Sequence, residues 1–300
     1  MVSSSAAPLS RQYVRLCNRE DFEDPELRAM LREVVPRDTP EEDLHRKSWE
    51  YAMLSLYLQE VGALREDAEA LGVAAGHEPT LYWLSNRIGR VVATDIYGEG
   101  RFAGREAAGS MLDDPGAFAP YPYREDRLEV RHMDALYLEF PNASFDIVFC
   151  LSSIEHFGEP ANTIQAAREM GRVLRPGGRL VITTECFVGP NPLNSPKLQY
   201  AIRLATLGRR CSAATPTKRM IDAFTPRQLE QLIVAPLAEL GVDLVQPLDL
   251  TFSQQSRENL THWVGAGELH PKTGSFYPHI VLQAHGSPWT SVFLAFHKPA

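Results

Sequence analysis

The spacing of apolar residues along this chain changes period several times, and each change marks an element. Between Pro40 and Leu64, Leu44, Trp49, Met53, Leu54, Leu56, Tyr57 and Val61 recur at helical spacing, and Pro25 to Val35 reads the same way. Thr39 as N-cap, Pro40 in the first turn and Glu41-Glu42 at the positive end form a start signal for the longer helix. Residues 1–24 carry no such pattern and are expected to be poorly ordered.

From residue 68 onward, short apolar runs alternate with helical stretches, the pattern of a mostly parallel sheet covered by helices. Strands are expected over 68–73, 90–95, 128–133, 145–151, 179–185, 242–248 and 292–297, with 145–151 (FDIVFCL) at the centre because it is apolar almost throughout. Helices are expected over 79–87, 102–112 and 160–174. The last should stop at Arg175-Pro176-Gly177-Gly178, where Pro resists the helix and Gly accepts a left-handed cap. Residues 115–123, rich in Pro and aromatic side chains, read as a loop. Thr225-Pro226 opens a further helix that Pro236 should break or kink.

Composition narrows this picture only a little. The 300 residues suffice for one large, decorated domain, and the balance of 44% hydrophobic to 23% charged residues is that of a globular chain. A net charge of -8 argues against a nucleic-acid backbone as main partner. Cys17, Cys150, Cys186 and Cys211 are scattered and form neither a disulfide framework nor a zinc motif. His262, His270, His279 and His285 lack the close spacing of a helical metal pair, so no metal is assigned. With no signal-peptide pattern and no apolar run near the ~20 residues of a membrane span, the chain reads as cytoplasmic and free of the membrane. Its oligomeric state is not legible.

The candidate chemistry gathers at strand ends. The first strand runs into Gly72-Val73-Ala74-Ala75-Gly76, a small-residue loop that lets backbone approach a ligand. Tight packing explains such a loop equally well. Asp95, with Ile96 beside it, ends the second strand, where an acid can accept from both ribose hydroxyls; a helix-capping Asp is the lesser alternative. Asp134-Ala135 follows the third strand, where a carboxylate can take an adenine amino group and a small neighbour leaves room for the ring. By itself the pair is equally a turn.

Two longer motifs are more specific. One is Phe145-Asp146-Ile147-Val148 running on through Leu151-Ser152 to Glu155-His156. The other is Val173-Leu174-Arg175-Pro176-Gly177-Gly178-Arg179-Leu180. Together they resemble the class I S-adenosylmethionine-dependent methyltransferases of the "type 11" small-molecule kind, from about residue 66 onward. The resemblance implies a Rossmann-like, doubly wound α/β sheet of about seven strands with the last antiparallel. A helical N-terminal extension (1–65) would precede the cofactor domain (66–300), with an insertion at 189–224 and a loop at 251–278 as substrate cover.

It further implies S-adenosyl-L-methionine as cofactor, held by Gly72, Val73, Ala74, Gly76, Glu78, Asp95, Ile96, Asp134, Ala135, Leu151 and Ser152. The loop departs from the family's (D/E)xGxGxG: Gly72 replaces the acid, Ala74 the first Gly and Glu78 the last. Losing the acid removes a usual partner of the methionine ammonium, for which Glu78 is the candidate substitute. His156 is the candidate base toward a small-molecule methyl acceptor, such as a sugar or specialised-metabolite hydroxyl, or else a packing residue over the cofactor. Trp49 is a candidate acceptor-binding ring or else core. Arg203, Arg209, Arg210, Lys218 and Arg219 read as a solvated basic face or a lid favouring anionic acceptors. Two other functions stay open: an NAD-dependent oxidoreductase on a related sheet, and a non-catalytic S-adenosylmethionine-binding protein.

Overall fold

The computed structural model describes residues 8–36, 44–189, 196–207, 222–263, 269–270, 279–284 and 287–300. Its centre is a sheet whose strands appear in the chain as β1 (Arg15–Leu16), β2 (Glu69–Val73), β3 (Arg90–Asp95), β4 (Leu128–His132), β5 (Phe145–Leu151) and β6 (Leu174–Phe187). There follow β7 (Asp243–Leu244), β8 (Leu260–Trp263), β9 (Leu269–His270), β10 (Val281–Ala284) and β11 (Ser287–His297). The order is β4-β3-β2-β5-β6-β11-β10-β8-β9, with β1 and β7 also pairing to β11.

β4, β3, β2, β5 and β6 are mutually parallel, and β11 runs antiparallel to β6 over Trp289–His297. Seven strands correspond to the seven expected runs; β1, β8, β9 and β10 are additions. β5 lies at the centre, as its composition predicts: all but Asp146 of its seven side chains are buried. Each large apolar side chain sealed there contributes about 1.5–3 kcal/mol.

The connections fix where a ligand can sit. β2 passes through helix α3 (Pro79–Ser85) to β3 on one side, whereas β5 passes through α4 (Pro160–Val173) to β6 on the other. Both crossovers are right-handed by the general rule, so α3 and α4 lie on opposite faces. The winding reverses between β2 and β5, and the carboxyl ends of these two strands flank the crevice in which open α/β sheets bind ligands. Helices α1 (Pro25–Val34) and α2 (Arg46–Glu60) join the α3 layer.

Several expectations are corrected. Residues 13–22 are not loose: Tyr13, Val14, Leu16, Cys17 and Phe22 are buried, and β1 pairs with Val292 and Phe293 of β11. The outer edge of β11 is thus shared by β7, β1 and β10 rather than taken by one long strand, so the expected strand over 242–248 shrinks to two residues. Residues 102–112 are turns ending in a 3-10 turn at Gly109–Leu112, because Gly98 and Phe102 carry the segment's backbone bonds: Gly98 N–H donates to Ala107, and Ala107 N–H donates to Phe102.

The helix from Pro226 does not break at Pro236. A π-turn over Glu230–Val234 precedes the proline and absorbs the misfit, and the helix continues to Ala238. The expected loop over 251–278 contains a helix at Gln254–Glu258 and strands β8 and β9 among its described residues.

α2 starts at Arg46, later than expected; the Thr39–Pro40 start signal lies outside the described residues. His45 is the N-cap, and its ring nitrogen accepts from Lys47 N–H at 3.0 Å. The His45 ring stacks on His279 at 4.0 Å between centroids. Burial and the Arg46 and Lys47 charges push the His45 ring down to about 3, so the stack is of neutral rings.

Candidate active site

The loop after β2 is held by its neighbours rather than by its own glycines. Ala74 and Gly76 both adopt left-handed backbone, with φ of 50° and 49°. Gly76 is obligatory, because a Cβ there would lie 2.3 Å from the Glu106 carbonyl oxygen. Ala74 bears a Cβ in a conformation that costs an L-residue roughly 1–2 kcal/mol. Ala75 N–H donates to Thr94 O at 3.0 Å, and Tyr97 Oη donates to Gly76 O at 2.7 Å. Across the crevice, Ser153 Oγ donates to Ala74 O at 2.9 Å and ties this loop to the turn after β5.

Asp95 ends β3 beside the loop. Its carboxylate accepts from Gly76 N–H at 2.9 Å and Ile96 N–H at 2.8 Å. A carboxylate offers about four lone-pair sites, so two remain for hydroxyl donors. Burial raises this carboxyl, and the two backbone bonds partly offset it. Met133 N–H donates to Asp95 O at 2.9 Å, which brings the next strand end alongside. There Asp134 is exposed, spends one oxygen on Leu136 N–H at 2.9 Å, and is followed by buried Ala135. The predicted residues Gly72–Gly76, Asp95, Ile96, Asp134, Ala135, Leu151 and Ser152 all lie at the carboxyl ends of four neighbouring parallel strands.

Position 72 differs from the rest of this edge. The Phe149 ring of β5 and the Ala75 methyl fill the space a side chain would use: a Cβ on Gly72 would approach Phe149 Cζ and Ala75 Cβ each at 2.9 Å.

The crevice is roofed by α2. Arg46 and Glu50 are one turn apart, with 3.2 Å between Arg46 Nη1 and Glu50 Oε1, and Arg46 also pairs with Glu185. Glu50 is fully buried and accepts from Ser152 Oγ at 2.7 Å, Thr183 Oγ1 at 2.8 Å and Ser291 Oγ. Ser152 itself has a φ of 47°, so the turn after β5 is held in a strained form by this helix.

Lys47 Nζ donates to Leu151 O at 2.7 Å and to Glu78 Oε1 at 3.2 Å, bridging the ends of β5 and the β2 loop. Glu78 is buried, its Oε2 has no hydrogen-bond partner among the described residues, and burial pushes the carboxyl up to about 7 against the pull of Lys47.

Trp49 is corrected out of the acceptor site: it is wholly buried and meets Phe293 edge-on at 6.3 Å, so no acceptor can stack on it. Trp49 lies on α2 but faces the core.

Beyond Ser152, a 3-10 turn at Ile154–His156 sets Glu155 and His156 over the same edge. His156 Nδ1 lies 3.3 Å from Asp222 Oδ2, and its ring packs on Phe102 at 4.9 Å. Arg101 pairs with the same Asp222 oxygen at 3.0 Å. Burial works against a charged ring, but the Asp222 contact and the Glu155 and Glu185 carboxylates outweigh it, so His156 stands above the ordinary imidazole value. Glu155 is buried and accepts from Thr184 Oγ1 at 2.8 Å. Burial pushes it up to about 7.

Sequence reading missed Asp222, which lies near the end of the expected 189–224 insertion, as well as Arg46, Lys47 and Glu50. Their only signal was the charged run around Trp49. Arg209, Arg210, Lys218 and Arg219 lie outside the described residues. Among the described residues no His, Cys, Asp and Glu cluster could hold a metal ion, and no helix is long and apolar enough to cross a membrane.

Residues 71–182, which include the loop, three of the strand ends and both long motifs, match the family model described as "Methyltransferase domain". These residues belong to the methyltransferase-domain family. Within and around this methyltransferase domain the chain is similar to 27-O-demethylrifamycin SV methyltransferase of Amycolatopsis mediterranei, at 43% identity over 68 residues, 23% of this chain and 24% of that one. It is also similar to methyltransferase GfsG of Streptomyces halstedii, at 43% identity over 19% of this chain and 20% of that one. The matches thus span a quarter or less of these curated relatives. Among solved structures, geranyl diphosphate C-methyltransferase from Streptomyces coelicolor A3(2) superposes with a TM-score of 0.52 at 14% identity. That alignment covers 97% of this chain and 90% of the other, a likeness of fold.

Proposed function

We propose that this chain transfers the methyl group of S-adenosyl-L-methionine to a small molecule, with a sugar or specialised-metabolite hydroxyl as the leading acceptor. The observation that carries the reading is the convergence of the Gly72–Gly76 loop, Asp95, Asp134-Ala135 and Leu151 on one sheet edge at the winding reversal. The residues fit the cofactor. Asp95 keeps two lone-pair directions for ribose hydroxyls, Asp134 has an oxygen for an adenine amino group, and Ala135 leaves room beside it. When bound, the cofactor supplies an electrophilic methyl on a sulfonium.

His156 accepts the proton of the acceptor hydroxyl, and Asp222 holds its ring orientation and favours the charged form. A hydroxyl acceptor is supported by the name of the rifamycin relative, which describes an O-methylation. Net charge keeps nucleic acid out of the leading set.

A second reading, a cofactor-binding protein without transferase activity, is favoured by the Phe149 ring standing where the family's acid would be. Titration calorimetry with S-adenosylmethionine, S-adenosylhomocysteine and NAD, followed by mass spectrometry of a metabolite panel, tests both. Binding of the first two with a product heavier by one methylene supports transfer. Binding without product across the panel favours the second reading, and NAD binding alone overturns both.

A further inference from the structure

A buried carboxylate oxygen without a partner is costly, and the cost falls when a ligand supplies the missing donor. Glu78 Oε2 is such an atom. Its sister oxygen is held by Lys47 Nζ at 3.2 Å, and Lys47 also donates to Leu151 O at 2.7 Å. An ammonium has three donors, and these two bonds leave one; among the described residues the next carboxylate oxygen it pairs with is Glu50 Oε2, at 3.8 Å. One negative and one positive group, each with unused hydrogen-bonding capacity, therefore stand side by side between the ends of β2 and β5. A free α-amino acid group carries the complementary pair, an ammonium and a carboxylate on one carbon. Position 72 cannot serve the ammonium here, since Gly72 has no side chain and Phe149 fills its space.

We propose that Lys47 and Glu78 form the receptor for the amino-acid head of S-adenosylmethionine, with Glu78 accepting from its ammonium and Lys47 donating to its carboxylate. The assignment rests on the cofactor reading above. It moves the recognition of the head from the end of β2 to a pair drawn from the N-terminal helix and the last position of the loop. It also makes α2 part of the cofactor site rather than a cover only.

The test compares ligands that carry the head with one that lacks it. Calorimetry on the full chain uses S-adenosylhomocysteine, its decarboxylated analogue and methylthioadenosine, which has no amino-acid head. A charge-assisted hydrogen bond is worth about 1.5–3 kcal/mol, roughly ten- to a hundredfold in affinity. Lys47→Met and Glu78→Gln are each expected to lose about that much for S-adenosylhomocysteine while holding methylthioadenosine within about twofold, which also reports that the variants are folded. Lys47→Arg, which keeps the cation, should retain most of the affinity. On the unaltered chain the decarboxylated analogue should bind about tenfold or more weakly, a result that needs no variant.

S-adenosylhomocysteine affinity unmoved by both substitutions, or methylthioadenosine affinity falling in parallel, overturns the assignment and leaves the cofactor reading standing. An unaltered chain that binds none of the three overturns the cofactor reading and this assignment with it.

Discussion

Phe149 occupies the side-chain space of Gly72: two of its ring atoms lie 2.9 and 3.1 Å from where a Cβ on Gly72 would stand. The missing acid of the loop is therefore a repacking of two adjacent strands, not a single lost residue. Gly72→Asp is expected to destabilise the chain by about 1–3 kcal/mol through overpacking, with a further cost for burying an acid. In Gly72→Asp/Phe149→Ala the two effects should not add, since the smaller residue removes the ring contact and leaves only the one with Ala75 Cβ. Urea denaturation of the four chains of this cycle measures the coupling, and strict additivity would refute the packing account.

Ala74 is held at a φ of 50°. Replacing it with Gly removes the Cβ strain, and Ala74→Gly should stabilise the fold by about 1 kcal/mol despite the freer unfolded chain. Equilibrium unfolding checks the sign. A loss of stability would mean that the Ala74 methyl contributes more packing than strain.

His156 and Asp222 give a pH signature. The Asp222 contact raises the His156 pKa, so Asp222→Asn should lower it, and the acid limb of the rate profile should move to lower pH. His156→Ala should reduce turnover about 10²–10⁴-fold if the ring takes the proton. A nuclear magnetic resonance titration of the His156 ring checks the shift independently of activity, and an unmoved titration in Asp222→Asn would remove the orienting role.

Glu155 links stability to pH. Burial raises its carboxyl from 4.5 to about 7, so between those values the folded chain holds a proton that the unfolded chain has released. This group favours the fold fully below about 4.5 and ceases to do so as pH rises through about 7. Glu155→Gln should flatten that part of the decline, while Glu78, raised in the same direction, keeps its own share. Denaturation midpoints at pH values on both sides of the window measure the difference, and parallel curves for the two chains would refute it.

Local spacing was sufficient for the strands β2, β3, β4, β5 and β6, the helix α4, and the strand-end positions Asp95, Asp134 and Leu151. Each depends on an alternation or motif within a few residues, and a parallel sheet places every such strand end on one edge whatever the loops do. The same reasoning misplaced the described start of α2, where Arg46 N–H donates to the distant His279 O, and the segment over 102–112, where turn bonds at Gly98 and Phe102 replace the helical pattern.

Only the tertiary structure decided how that edge is completed. Lys47 meets Glu78 across 31 residues, Arg46 meets Glu185 across 139, and the first residues of the chain reach the last strand. Nothing in the local pattern around Trp49 says which neighbour faces the crevice, because the helix is apolar on most sides and its charged residues look solvated until the sheet buries them. Phe149 at Gly72 is of the same kind: a vacancy in one strand is visible in the sequence, but the ring that fills it belongs to another strand and is chosen by packing.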